Sequence, residues 1–203
     1  MRYNRFASLG LGLLLALSPG LARATTVQPP EFPALVDQAD YVVRAVIKSS
    51  QSEWREKAGH RYIATKVTLE VREVIKGTPP ATVVLDFLGG RVGDDELRVE
   101  GAPRLTVGEE DILFVQGNGT VFYPLVGVMH GFYPIFHDKA SGSDYVVRSN
   151  GMPLYSEKDV ALPMMQLSAT KAVNAQAKPM TAAAFSTRIR AQVENRNQQK
   201  RLK

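Results

Sequence analysis

The sequence contains no cysteine. That absence removes disulfides, thiolate metal sites and cysteine nucleophiles together. Histidine is nearly as scarce, with 3 copies among 203 residues, and tryptophan occurs once. Long hydrophobic runs are also missing. The most apolar stretch, residues 9–17, is about half the ~20 residues that a bilayer-crossing helix needs. There is no Gly-x-Ser-x-Gly elbow, the strand-to-helix turn that presents a hydrolase serine, and no internal repeat.

What is present at the N-terminus reads as an export signal. Arg2 and Arg5 precede the apolar run, Ser18-Pro19-Gly20 breaks any helix, and Ala22-Arg23-Ala24 offers small residues at the two positions a signal peptidase reads. Cleavage is expected after Ala24. The segment carries three arginines and no acid, so its loss lowers the formal charge of +5 by three. The basic balance thus belongs largely to a discarded segment, and a nucleic-acid partner loses its main support. Roughly 180 residues remain, enough for one domain with a substantial core. The expected product is exported and soluble, in the periplasm or the medium.

Beyond an irregular, proline-rich lead (25–40), which has room for one helical turn near Leu35, the hydrophobic period changes to two. Tyr41, Val43, Ala45 and Ile47 alternate with Arg44 and Lys48, as in a half-buried strand. Ser49 to His60 is polar and reads as a hairpin loop. The clearest element follows, with Ile63, Thr65, Val67, Leu69 and Val71 on one face. Its length predicts a strand that curls, and the adjacent Val74-Ile75 predicts a bulge. Further strands are expected around 83–87, 97–99, 112–115, 121–128, 132–136 and 145–148. The continuous run Ile112-Leu113-Phe114-Val115 implies burial on both faces. Residues 149–180, punctuated by Pro153, Pro163 and Pro179, read as a linker. Thr181 then caps a helix whose Phe185, Ile189 and Val193 form one apolar stripe. This pattern predicts a mainly β domain over 41–148, an OB-like or small closed β-barrel of five to eight strands, with a C-terminal amphipathic helix and basic tail (181–203) whose stripe either docks on the barrel, the favoured reading, or serves a partner. An immunoglobulin-like sandwich is the alternative.

Several segments in order, ADYVVRAVI, SEW, HRYIATKVTLEVREVIKG, LGGRVG, VEGAP and VGEEDILFV, resemble a group of uncharacterised bacterial exported proteins. Their barrel is similar to that of the netrin-like and metalloproteinase-inhibitor modules. The likeness spans about Ala39 to Val115 and implies an OB-type barrel. Netrin-like inhibitors act through an N-terminal cysteine that chelates the protease zinc. This chain has no cysteine, so that mechanism is impossible here and no functional residue carries over.

The polar residues build no convergent catalytic set. His130 and His137 lie seven apart in a strand-rich segment, which points them to opposite faces, and His60 is far upstream. They read as surface or hairpin histidines, with no metal and no cofactor expected. The acidic runs Asp94-Asp95-Glu96 and Glu109-Glu110-Asp111 read as solvated turn flanks. Gly89-Gly90-Arg91-Val92-Gly93 is followed by acids and a strand, so its glycines serve turns or bulges instead of a phosphate cradle. Asn118-Gly119-Thr120 matches a glycosylation acceptor, but an Asn-Gly turn accounts for it. An exposed tryptophan beside arginine is a common binding anchor. Trp54, Arg55, His60 and Arg61 are therefore the candidate partner-binding patch. The functional expectation is a non-catalytic exported binding or accessory protein whose partner is another extracytoplasmic protein or an envelope polymer. The alternative is an extracytoplasmic hydrolase whose site is assembled from scattered residues.

Overall fold

The computed structural model describes residues 28–139, 141–164 and 178–202. The expected signal peptide and residues 165–177 of the expected linker lie outside the described residues. The protein is mainly β, with a helix at each end of the described chain. Helix α1, Phe32–Gln38, carries a proline in its first turn, where the missing N–H has no intrahelical partner to lose. Its Phe32, Leu35 and Val36 are buried.

Strands β1, Tyr41–Lys57, and β2, His60–Lys76, form one long hairpin. The segment expected as a loop at 49–60 is instead ladder almost to its end. The turn is only Ala58-Gly59, both with left-handed φ (52° and 78°), as a tight two-residue hairpin turn demands. The polarity of SSQSEWREK reports exposure of this arm, while its backbone groups still find partners in β2. The register shifts at three places, between Val42/Val43, Arg44/Ala45 and Ile47/Ser49. The first passes over Ile75, as the adjacent apolar pair predicted. Extra residues of this kind increase local twist, and the hairpin curls.

Strands β3 (Thr82–Leu88), β6 (Glu110–Val115), β7 (Phe132–Asp138) and β8 (Ser143–Val146) complete an antiparallel sheet of order β3-β2-β1-β6-β7-β8. Strands β4 (Gly90–Val92) and β5 (Asp95–Leu97) make a separate small hairpin. The expected closed barrel is not found: no ladder joins β3 to β8 among the described residues. Irregular chain after β6 runs along the edge of β3 instead. Leu88 donates its N–H to the Phe122 carbonyl at 2.9 Å, and the Asn118 amide donates to the Val84 carbonyl at 2.8 Å. The strand expected at 121–128 does not form. Pro124 has no N–H to give a ladder, and Gly127 and Val128 both have left-handed φ, so a single bridge, Val115 with Leu125, remains.

The curled sheet has a core on each face. The inner one gathers Val43, Ala45, Val67, Leu69, Leu85 and Leu113. The outer one holds Val42, Ile112, Phe114, Tyr133 and Val146 under the two helices. Strand β6 serves both, as its unbroken apolar run predicted. Helix α2, Ala182–Arg201, begins where Thr181 accepts a hydrogen bond from the Ala184 N–H at 3.1 Å. Phe185 and Ile189 are fully buried, and Val193 packs partly buried beside them. The Phe185 ring lies 5.1 Å from that of Tyr133 and 6.0 Å from those of Phe32 and Phe114. The helix therefore docks within the molecule. Its basic residues Arg190 and Arg196 pair with Glu73 at 2.5 Å and Asp37 at 3.4 Å. The described first part of the expected linker also returns to the outer core, where Leu154 and Val160 are buried. A short 3-10 turn, Glu157–Ala161, is held there by a capping box between Ser156 and Asp159.

Candidate binding cleft

Beyond the inner core, the concave face of the β1–β2 arm is polar. The register pairs Ser50 with Val67, Ser52 with Thr65, Trp54 with Ile63 and Glu56 with Arg61. Directly opposite residues share a face, so these side chains form one stripe running from the inner core to the hairpin tip. The β4–β5 hairpin crosses this stripe. Ser52 Oγ and Thr65 Oγ1 are 2.9 Å apart, and the Thr65 hydroxyl donates to the Gly89 carbonyl at 2.6 Å. The Arg91 N–H donates to Ser52 Oγ at 3.3 Å. A Cβ on Gly90 would collide with both hydroxyls, so glycine lets the backbone lie directly on the strand surface.

Residues 96–107 then stand away from the sheet and leave an open cleft of about 930 Å³. Its deep end is aromatic, with Phe87 and Tyr123 edge-on at 5.7 Å. The Tyr123 hydroxyl donates to the Leu88 carbonyl at 2.9 Å, and burial pushes its pKa up. The rim carries Arg91, Arg98 and Arg104 against Glu96 and Glu100. Arg91 bonds Glu96 at 3.1 Å and holds that carboxyl below its ordinary value. The cleft thus combines hydroxyl groups already engaged with one another, an aromatic end and a net positive rim. It can seat and orient a chain or polymer, and its hydroxyls have no base beside them.

The four patch residues expected from the sequence do not form one surface. Trp54 and Arg61 share the concave face, with the Arg61 guanidinium 4.6 Å from the Trp54 ring. Trp54 is 40% exposed. Arg55 and His60 lie on the opposite face. There Arg55 bonds Glu53 and Asp86, both at 2.8 Å, and these bonds, Asp86 first, raise its pKa. His60 is exposed at the turn, opposite Lys57. The cleft residues Ser52, Thr65 and Gly90 were missed. Their signal was Thr65 in an otherwise apolar strand face, opposite a serine, with a glycine pair downstream to approach it.

The histidines and acids differ from their expected settings. His130 is buried, not a surface residue. His137, on β7, joins a network over four strands of the outer face. The Arg44 guanidinium donates to both oxygens of Glu110 at 2.8 and 3.0 Å and to Asp144 at 3.0 Å. His137 Nδ1 is 2.6 Å from Asp144, and its Nε2 is 4.0 Å from Glu110. The hydrogen bond to His137, with help from Arg44, lowers the Asp144 pKa. Arg44 thus ties Glu110 to Asp144, and the His137–Asp144 hydrogen bond carries the network across four strands. The run Glu109-Glu110-Asp111 is not solvated throughout: Glu110 is clamped and Asp111 is fully buried. Among the described residues, no group of three or more potential ligands could hold a metal ion. Nor is any helix there long and apolar enough to cross a membrane.

No protein-family model, no curated protein and no solved structure matches this chain. The likeness to netrin-like modules therefore rests on the segments quoted from the sequence.

Proposed function

We propose that this chain is an exported, non-catalytic binding or accessory protein that seats a segment of an extracytoplasmic protein or envelope polymer in the β1–β2 cleft. The observation that carries the reading is the change along one strand face. Packed aliphatic side chains give way to an open cleft with an arginine-rich rim, and beyond the cleft the same strand face carries Trp54 with the Arg61 guanidinium over its ring. Aromatic and arginine side chains dominate binding energy at protein surfaces. We read the curled sheet as an OB-like open barrel, a fold that binds through one sheet face and the loops around it. Export rests on the N-terminal charge, apolar run and Ala-x-Ala pattern.

The test is a binding screen of the mature chain against peptides and envelope polysaccharides. Trp54→Ala and Arg104→Glu should each weaken a genuine ligand by roughly tenfold or more, while Lys66→Glu, on the other face, should not. Equal effects from both faces would defeat the cleft reading. Turnover of a peptide, ester or glycan substrate that disappears with His137→Ala would replace it with the hydrolase alternative.

A further inference from the structure

The outer core holds a polar feature on the opposite face of the sheet from the cleft. His130 lies in the short 3-10 turn Val128–Gly131, Tyr133 in β7 and Arg148 just after β8. They are only 2%, 1% and 3% exposed. The ladder pairs Ile135 with Val146, and the Val147 N–H reaches the Pro134 carbonyl at 2.9 Å. The same register sets Tyr133 opposite Arg148. Each of the three has a buried polar atom with no hydrogen-bond partner: His130 Nδ1, the Tyr133 hydroxyl and Arg148 Nε. The charge of Arg148 acts on both of the others.

Arg148 is the decisive group. A guanidinium stays protonated in a protein, and a buried charge without a counter-ion is among the costliest features a fold can carry. Its Nη2 donates to the Leu162 carbonyl and lies 3.5 Å from the Met164 sulfur, and neither neighbour carries charge. Arg148 forms no ion pair among the described residues. Asp159, the carboxylate acting on it from a distance, accepts the Tyr155 and Ser156 N–H groups at 2.9 and 2.8 Å. Burial raises the Tyr133 pKa, so the phenol keeps its proton and remains a donor. A neutral imidazole can donate from Nδ1 as well. Three donors in one positive field call for a ligand that only accepts. The cleft of the β1–β2 arm is lined by other residues, and a ligand that fits among packed side chains is a small ion.

We infer that His130, Tyr133 and Arg148 form a buried site for a small inorganic anion of chloride size. The bound ion fastens the returning segment 147–164 onto the sheet, because Arg148 also holds Leu162.

Thermal unfolding of the mature chain tests this. Chloride is exchanged for gluconate, which is too large to enter, at constant ionic strength. A ligand that binds only the native state raises the melting temperature with concentration. Chloride should therefore raise it, with the logarithm of its concentration once the site is filled, and gluconate should not. Tyr133→Phe removes one donor and should weaken the apparent chloride affinity about tenfold, the loss of one hydrogen bond to a charged group. Arg148→Met should abolish the chloride dependence. Crystals soaked in bromide should show anomalous density between the three side chains, a readout that needs no variant. Identical melting of the wild-type protein in the two salts would overturn the inference, as would a chloride dependence that survives Arg148→Met. Bromide absent from the site, with water in its place, would overturn it equally.

Discussion

Asp111 is the residue whose setting departs furthest from its chemistry. It alternates along β6 with Leu113 and Val115, so its carboxyl points into the inner core opposite Ala45. Both its oxygens lack partners. Burial, with Glu109 and Glu110 nearby, raises its pKa from 3.8 to about 8. A carboxyl with a raised folded-state pKa favours folding while it is protonated. That contribution is complete below 3.8 and is lost as the pH climbs through about 8. The mature chain should therefore lose stability across this window. Asp111→Asn keeps the shape without the charge and should flatten the loss. Urea midpoints measured at about pH 4 and about pH 9 should diverge for the wild type and nearly coincide for the variant. A wild type at least as stable at the higher pH would show that the carboxyl finds a partner and stays ionised.

At the scale of elements, Ala58 and Phe185 test the two ends of the architecture. Ala58 has φ 52°, a conformation that costs an L-residue about 1–2 kcal/mol and that asparagine tolerates better. Ala58→Asn should stabilise the hairpin by up to about 1 kcal/mol, read as a higher urea midpoint with an unchanged slope. Phe185→Ala empties a fully buried site among three aromatic rings. It should cost about 3–5 kcal/mol, lowering the melting temperature by roughly 10 °C. How legible these elements were in the sequence depended on whether a rule acts locally. Alternation located β2, and the four-residue stripe of α2 identified its buried face, because periodicity and burial coincide there. The arm from Ser49 to Lys57 reads as loop because Trp54 is its one apolar residue, so no alternation of apolar side chains marks the strand. The cleft was hidden for a related reason. Strand register alone sets Ser52 against Thr65, and the glycine that overlies them arrives 25 residues after Thr65. Asp111 and Arg148 could not be read as buried, because ordinary charged residues in their sequence contexts are solvated.

For the whole molecule, the arrangement of the two cores decides how it unfolds. They are separate clusters of side chains, yet they share strands. Val42 of β1 and Ile112 and Phe114 of β6 enter the outer cluster, while Val43, Leu113 and Val115 enter the inner one. Strand β1 also joins the exposed arm to the helix-covered half through its ladders with β2 and β6. A sheet cannot keep one face of β6 packed while the other is bare to water, because the same backbone ladder positions both sets. The molecule should therefore unfold as one unit despite its arm, its two cores and its returning segment. Ending the chain at Pro179 removes α2 and uncovers Phe32, Phe114 and Tyr133, the rings packed on Phe185. The fold should then lose well over about 3 kcal/mol, more than Phe185→Ala alone, and bind a hydrophobic dye. The intact mature chain supplies the control, since its one tryptophan, Trp54, sits on the arm far from α2. Trp54 fluorescence and far-ultraviolet circular dichroism should melt at the same temperature, as a two-state unit requires. Both should shift down together in the truncated chain. If the Trp54 transition stayed in place while the dichroism transition moved, the arm and inner core would be an independent folding unit, and α2 would be an accessory to half the sheet only.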